Sequence, residues 1–324
     1  MSDESVLAEA QATLPLVSVI MNCLNSAKHL RAAIDSVYAQ TYGNWEIIFW
    51  DNVSTDESPE IAQSYRDGRL RYFRGETTVP LGHARNLAIA KSKGEFVAFL
   101  DCDDLWLPQK LEKQVPLFIA DDKVGLVYSD TFFFNESGYE KRLYSEKTPY
   151  RGNCFPELLN NYLISLETAV VRRSALDSLD HWFDPRFNMV EEHDLFLRIG
   201  LDWKLDFSPE ALAKWRVHDQ SLSWKLPDAF VDETGAMLKK LQTSPKIFGN
   251  YKPELVLAWH GLALAEAKGH WKNGHGRAAR ASIRNDPVRD LKGCLMWIAS
   301  FLPYAMIESV YRVISRSVTP GRSS

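Results

Sequence analysis

The segment FLDCDDLW, residues 99–106, places three carboxylates directly after an apolar run. Ionised groups at the end of a buried strand are costly unless something pairs with them, so Asp101, Asp103 and Asp104 need partners. Side chains alternate along an extended segment, which puts Asp101 and Asp103 on one side and Asp104 on the other. Two same-side carboxylates at a strand end suit a hard divalent cation, Mg²⁺ or Mn²⁺, that keeps positions open for phosphate oxygens. The bland alternative is a capped turn, and Asp104 is expected to cap the turn into Pro108. A second cluster, Glu191, Glu192 and Asp194, opens the segment EEHDLFLRIG, where acids also complement a helix dipole. Asp194 lies about 200° around that helix from Glu192, so the two cannot serve one point in space.

Such charges need a scaffold, and the first half of the chain supplies one by alternating two periods. Apolar runs at 16–23, 45–51, 69–75, 95–101 and 124–130 read as strands. Between them lie helical patterns. Ser26 is placed to cap a helix with Leu30, Ala33, Ile34 and Val37 on one face, and 54–65 and 82–94 contain two more. This alternation predicts an α/β fold with a mostly parallel sheet flanked by helices. Ligands of such sheets bind at the carboxyl ends of the strands, where Asn22 and Asn25, Asp51 and Asn52, and Asp101 and Asp103 collect. The turn after the first strand reads NCLNSA and has no GxGxxG, which argues against a dinucleotide oxidoreductase. Further on, 131–150 reads as a hairpin or loop, 155–161 as a short helix, 167–173 as a strand and 191–200 as a helix. WKLDF and AKWRVH read as two strands, and everything from about 227 as helices, including a helical hairpin.

With VSVIMNCLN, IIFWDNVSTDES, LGHARNLAI and FLDCDDLW in this order, followed by FNMVEEHDLFLR and WRVHDQSLS, residues 15–225 resemble the family 2 glycosyltransferases. These are inverting, metal-dependent sugar transferases of GT-A fold. The resemblance implies a nucleotide-diphosphate donor, a UDP-sugar carrying a hexosyl or N-acetylhexosaminyl group, and a glycan or lipid-linked glycan acceptor. It places the loop from Asn22 to Asn25 around the nucleotide and Asp51 against the uracil ring. The family's usual DDGS is here Asp51-Asn52-Val53-Ser54, so Asn52 lacks the charge and Val53 lacks glycine's freedom at positive φ. Gly82, Arg85 and Asn86 match a GxxRN segment beside the ribose and diphosphate, where a helix N-terminus favours phosphate. By the same resemblance Asp101 and Cys102 lie near the ribose, Asp103 binds the cation, and His218 reaches toward cation or diphosphate. Arg216 and Ser221 contact phosphate oxygens, and Glu192 takes the proton from the acceptor hydroxyl. Two rivals share the fold. A nucleotidyltransferase would need a second carboxylate closing a metal pair, and the other acids lie about 90 residues on. A non-catalytic sugar-nucleotide or glycan-binding module would need no base.

Bulk properties bound the rest. A chain of 324 residues with net charge -4 is no general nucleic-acid binder. Cys23, Cys102, Cys154 and Cys294 are scattered without a CxxC pair, which reads as reduced thiols in a cytoplasmic protein. Residues 1–14 read as a flexible leader without the features of a signal peptide. From Lys272 to Arg322 nine Lys or Arg face three acids, a charge of +6 that leaves -10 for the remainder. CLMWIASFLPYAMI within that tail is too short to span a bilayer and is broken by Pro303. Two readings stay open for residues 289–316. One is an interfacial hairpin on anionic membrane at the inner face of the cytoplasmic membrane, with Trp297 and Tyr304 at headgroup level. The other is a helical pair packed on protein.

Overall fold

A computed structural model of the chain describes residues 14–146, 148–218 and 227–308. It divides into two compact units, with the change between Ser221 and Leu222. The proposed leader, apart from Leu14, lies outside the described residues.

The first unit is built on one sheet. Strands β1 (Val17–Cys23), β2 (Trp45–Asp51), β3 (Leu70–Arg74) and β4 (Phe96–Phe99) run parallel in the order β3-β2-β1-β4. The chain leaves β1 toward one side and later returns to its other side, so a crevice opens between the carboxyl ends of β1 and β4. β1, β2 and β4 are buried almost throughout, as strands covered by helices on both faces must be. The Ala27–Tyr38 helix buries the expected Leu30, Ala33, Ile34 and Val37 against them. Ser26 does not cap that helix, since its hydroxyl donates to the Leu24 carbonyl. The free amides go instead to the loop after β2: Ala27 donates to Asp56 Oδ2 at 3.0 Å and Ser26 to Ser58 Oγ at 3.0 Å. Capping from a neighbouring loop locks two strand ends together.

The sheet is less parallel than the alternation suggests, because its second half adds antiparallel neighbours. These are β5 (Leu105–Trp106), β6 (Val124–Phe134), β7 (Glu140–Arg142), β8 (Val170–Arg172) and β9 (Lys204–Arg216). β8 lies antiparallel between β4 and β6, while β9 runs parallel to β6. The two strands read at WKLDF and AKWRVH are one strand. Its register against β6 slips between Ser129 and Thr131, and this bulge absorbs Pro209 and Glu210. A proline lacks the ladder N–H and is tolerated at such a bulge. β9 thereby carries Arg216 and His218 to the same end of the sheet as Asp101 and Asp103.

The second unit is helical: Pro227–Gln242, Pro245–Asn250, Lys252–Lys272, Gly276–Asn285 and Leu291–Ala299. The hairpin between the third and fourth closes at Gly274, whose φ of +80° favours glycine. Ala267, Trp271, Ala279 and Ile283 form its core. All four cysteines are free thiols.

Candidate active site

Asp103 and His218 meet at the crevice, with Oδ2 and Nε2 2.8 Å apart and their side chains 35% and 29% exposed. A carboxylate oxygen and an imidazole nitrogen, both reachable from solvent, form a donor pair that Mn²⁺ or Mg²⁺ accepts while keeping other positions for water or phosphate. The residues present therefore fit the cation that the sequence suggested. Arg216 Nε donates to the Asp103 carbonyl at 2.8 Å, and its guanidinium lies 4.5 Å from the Phe134 ring centre. Asp104 is not a turn cap: its Oδ1 accepts the Arg216 amide at 2.8 Å, 112 residues away in sequence. Burial and the nearby Glu167 push its carboxyl well above the ordinary range, and its hydrogen bond to the Arg216 amide holds β9 in place. His29, which sequence patterning does not single out, lies 6.2 Å from His218 between ring centres. Ser221 lies outside the described residues.

The loops after β1 and β2 interlock. Asn25 adopts φ +53° and its Oδ1 accepts the Thr55 amide at 2.8 Å, while its own amide donates to Ser54 Oγ. Val53 stands at φ +70°, so the backbone keeps the left-handed turn of the family's glycine with a β-branched residue in it. Such a residue stores about 1–3 kcal/mol of strain. Val53→Gly is expected to stabilise the chain by about 1 kcal/mol after glycine's own entropic cost, raising Tm by about 2–4 °C in calorimetry. An unchanged or lower Tm would mean that the turn is not strained.

The structure places Asp51 differently from the sequence reading. Its carboxylate is fully buried and accepts from the Ser54 amide at 2.7 Å, Tyr72 Oη at 2.6 Å and Arg74 Nη1 at 2.5 Å. The Arg74 side chain that pairs with Asp51 is itself 43% exposed. Asn52 is likewise committed, clamping the backbone of Val79 through both ends of its amide. Cys102 is buried and donates to the Asn22 carbonyl, tying the ends of β1 and β4. The Asn22 amide group itself is shielded from solvent and has no partner among the described residues. A native fold rarely tolerates that unless water or ligand supplies one.

The GHARN segment also turns inward. A Cβ at Gly82 would come within 3.3 Å of the Asp184 carbonyl, so glycine here admits the 183–187 segment. Asn86 fixes that segment by exchanging two hydrogen bonds with the Phe183 backbone, at 2.8 and 2.9 Å. Arg85 is buried and bridges the two acidic motifs: Nη2 donates to Asp101 at 3.0 Å and Nη1 to Glu191 at 2.6 Å. The partners lie 16 and 106 residues away, and that distance hides the bridge from any local pattern. Asp101 remains 40% exposed toward the crevice.

Glu192 follows on the first turn of the Glu191–Gly200 helix. That position, close to the positive end of the helix dipole, favours the charged form, but burial and the neighbouring Glu191 win and push its carboxyl up to about 8. Glu191 is raised by burial too and opposed by Arg85. Next to Glu192, His193 stacks on Tyr162 with ring centres 4.0 Å apart. Burial holds the imidazole down to about 3, hence neutral, and His193 Nε2 and Tyr162 Oη have no partner among the described residues. Sequence reading missed this pair, since a tyrosine in a loop carries no motif. A separate group, His181, Asp184 and Asp194, has ligand atoms within 4.8 Å of one another. Arg186 and Arg198 already pair with its two aspartates at 2.6 and 2.9 Å, which leaves less charge for a cation.

Residues 18–180 match the model of glycosyl transferase family 2. The chain belongs to that family. It is a glycosyltransferase of GT-A-like fold. The UDP-Glc:alpha-D-GlcNAc-diphosphoundecaprenol beta-1,3-glucosyltransferase WfgD of Escherichia coli is 29% identical over 187 residues, covering 57% of this chain and 69% of that protein. Among solved structures, Staphylococcus aureus TarS 1–349 in complex with UDP-GlcNAc superposes with a TM-score of 0.61 at 18% identity, covering 91% of each chain. The mannosyltransferase PcManGT of Pyrobaculum calidifontis, in complex with GDP-Man and Mn²⁺, gives 0.60 at 20% identity, covering 92% of this chain and 84% of that one. These two neighbours hold different nucleotides.

Proposed function

We propose that this glycosyltransferase moves a sugar, with inversion, from a nucleotide-diphosphate donor to a hydroxyl of a lipid-linked glycan, and that Glu192 is the general base. The observation that carries the reading is the Glu191–Arg85–Asp101 bridge, which ties the residue before Glu192 to the strand end that carries Asp103. The acceptor hydroxyl gives its proton to the Glu192 carboxylate as its oxygen attacks the anomeric carbon. The bond from that carbon to the diphosphate oxygen breaks on the opposite face, and its electron pair leaves with the diphosphate. Asn22, Asp101 and Arg216 face the ribose and diphosphate. A bound Mn²⁺ or Mg²⁺, held by Asp103 and His218, would neutralise charge on the departing diphosphate. Tyr162 and His193 offer hydrogen bonds to a second acceptor hydroxyl. The named acceptor of the E. coli relative, a diphosphoundecaprenol-linked sugar, supports a lipid-linked acceptor. Its named donor, UDP-Glc, supports a UDP-sugar. Such chemistry fits a peripheral protein at the inner face of the cytoplasmic membrane.

The test is transfer from UDP-glucose, UDP-N-acetylglucosamine or GDP-mannose, with Mn²⁺, to a short-chain alkyl-diphospho-N-acetylglucosamine. One donor is expected to give a product whose new linkage has the inverted anomeric configuration by NMR. A base raised to about 8 must be deprotonated to act, so kcat/KM should rise roughly tenfold per pH unit and level off above that value. Retention of configuration, or a flat profile from pH 6 to 9, would overturn the assignment of Glu192.

A further inference from the structure

The Leu291–Ala299 helix and the turn after it are apolar on two opposite faces. One face packs: Met296, Tyr304 and Ile307 lie against the Ala267–Ile283 core, with Tyr304 edge-on to Trp271 at 4.9 Å. Tyr304 is therefore partly buried against the core of the helical unit, and not placed as the headgroup anchor that the sequence suggested. The other face carries Leu291, Leu295, Ile298, Phe301, Leu302 and Met306, each between 47% and 73% exposed. Leu291, Leu295 and Ile298 follow the i, i+4, i+7 spacing of one helical stripe. Isolated exposed leucines need no explanation, but a contiguous patch of this kind marks an interaction surface.

The patch is held firmly. Asp290 caps the helix by accepting the Gly293 amide at 2.7 Å, and its other oxygen lies 3.3 Å from His260 Nε2. Arg280 donates to the Ser300 carbonyl at 2.7 Å and stacks 4.0 Å from the Phe301 ring centre. The surroundings are basic: six Lys or Arg face three acids from Lys272 to Glu308, and Arg284, Arg289 and Lys292 are exposed. Among the described residues no helix is long and apolar enough to cross a membrane.

We infer that this face docks on an anionic lipid bilayer, lying in the interface with Leu295, Ile298 and Phe301 among the acyl chains and the cations among the headgroups. A second copy of the chain is a poorer occupant, because a self-docked face would bring two positive rims together. The inference deepens the reading of a lipid-linked acceptor, since it would hold the enzyme at the surface where that acceptor lies.

Flotation of the full chain with phosphatidylglycerol–phosphatidylcholine vesicles, against phosphatidylcholine alone, tests it. Binding is expected to the anionic vesicles only, weakened at least about tenfold in Ile298→Glu and in the charge swap Arg284→Glu/Lys292→Glu. Circular dichroism confirms folding, and hydrolysis of the donor by water in the absence of vesicles should stay within about twofold for these variants. Intact hydrolysis with no flotation would overturn the docking surface alone, whereas flotation without any hydrolysis or transfer would count against the catalytic reading alone. Equal flotation of wild type and both variants would overturn the inference. So would a wild-type dimer that Ile298→Glu converts to monomer in light scattering, which would assign the face to a second copy.

Discussion

Glu192→Gln is expected to lower the rate of glycosyl transfer by about 10²–10⁴-fold while leaving donor affinity within about twofold. Glutamine keeps the size and one hydrogen-bonding oxygen of the side chain, so the helix start and its packing survive. What disappears is the ability to take a proton. The wild-type carboxyl is raised to about 8 by burial and by Glu191, against the pull of Arg85 and the helix dipole. A base of that strength is better matched to an alcohol than an ordinary glutamate would be, at the cost of being mostly protonated near neutrality. Single-turnover transfer, with donor binding followed by calorimetry, separates the two effects. A variant with near wild-type turnover would move the base elsewhere, and Glu191 would be the next carboxylate to test. Loss of donor binding in parallel with turnover would instead make Glu192 part of the donor cradle.

Replacing Arg85 is expected to have the largest effect on stability. The guanidinium is 3% exposed and faces Glu191, itself 4% exposed. Removing one member of a buried pair strands the other charge in a poorly solvated site, which costs about 3–5 kcal/mol. Arg85→Met should show that loss in urea unfolding at pH 8. The loss should shrink at lower pH, because Glu191 is already raised by burial and can take up a proton when its cation is gone. Arg85→Lys keeps the charge but cannot span Asp101 and Glu191 with two separate nitrogens, so it should fall between wild type and Met. Arg85 also holds Glu192 down, so the acid limb of the activity profile should move upward in the Met variant. Unchanged stability together with an unchanged profile would show that Arg85 is neither a structural bridge nor an electrostatic partner of the base.

The strand ends were legible without the structure because they are local facts. Apolar runs broken by Asn22, Asp51 and Asp101 announce buried strands that finish in polar loops, and a parallel sheet gathers such ends. The helix carrying Glu191 and Glu192 was legible for the same reason, and its observed bounds are those of the EEHDLFLRIG segment. Even the oddity at Val53 could be foreseen, since a turn that needs positive φ keeps that need whatever residue fills it.

What the residues are paired with was decided by packing. Asp51 reads as a ligand carboxylate, but Tyr72 and Arg74 of β3 reach it first, because β3 lies beside β2 in register. Asp104 reads as a cap, yet it accepts the Arg216 amide and so fixes the strand that delivers His218 to Asp103. Arg85 reads as a phosphate binder and instead joins Asp101 to Glu191 across 106 residues of chain. Composition and period specify which face of an element is buried. They do not specify which of several carboxylates a buried guanidinium will meet, since that depends on how elements far apart in sequence are brought side by side. In this protein the sequence alone determined where charges would gather, and the tertiary structure decided which of them remain free to act.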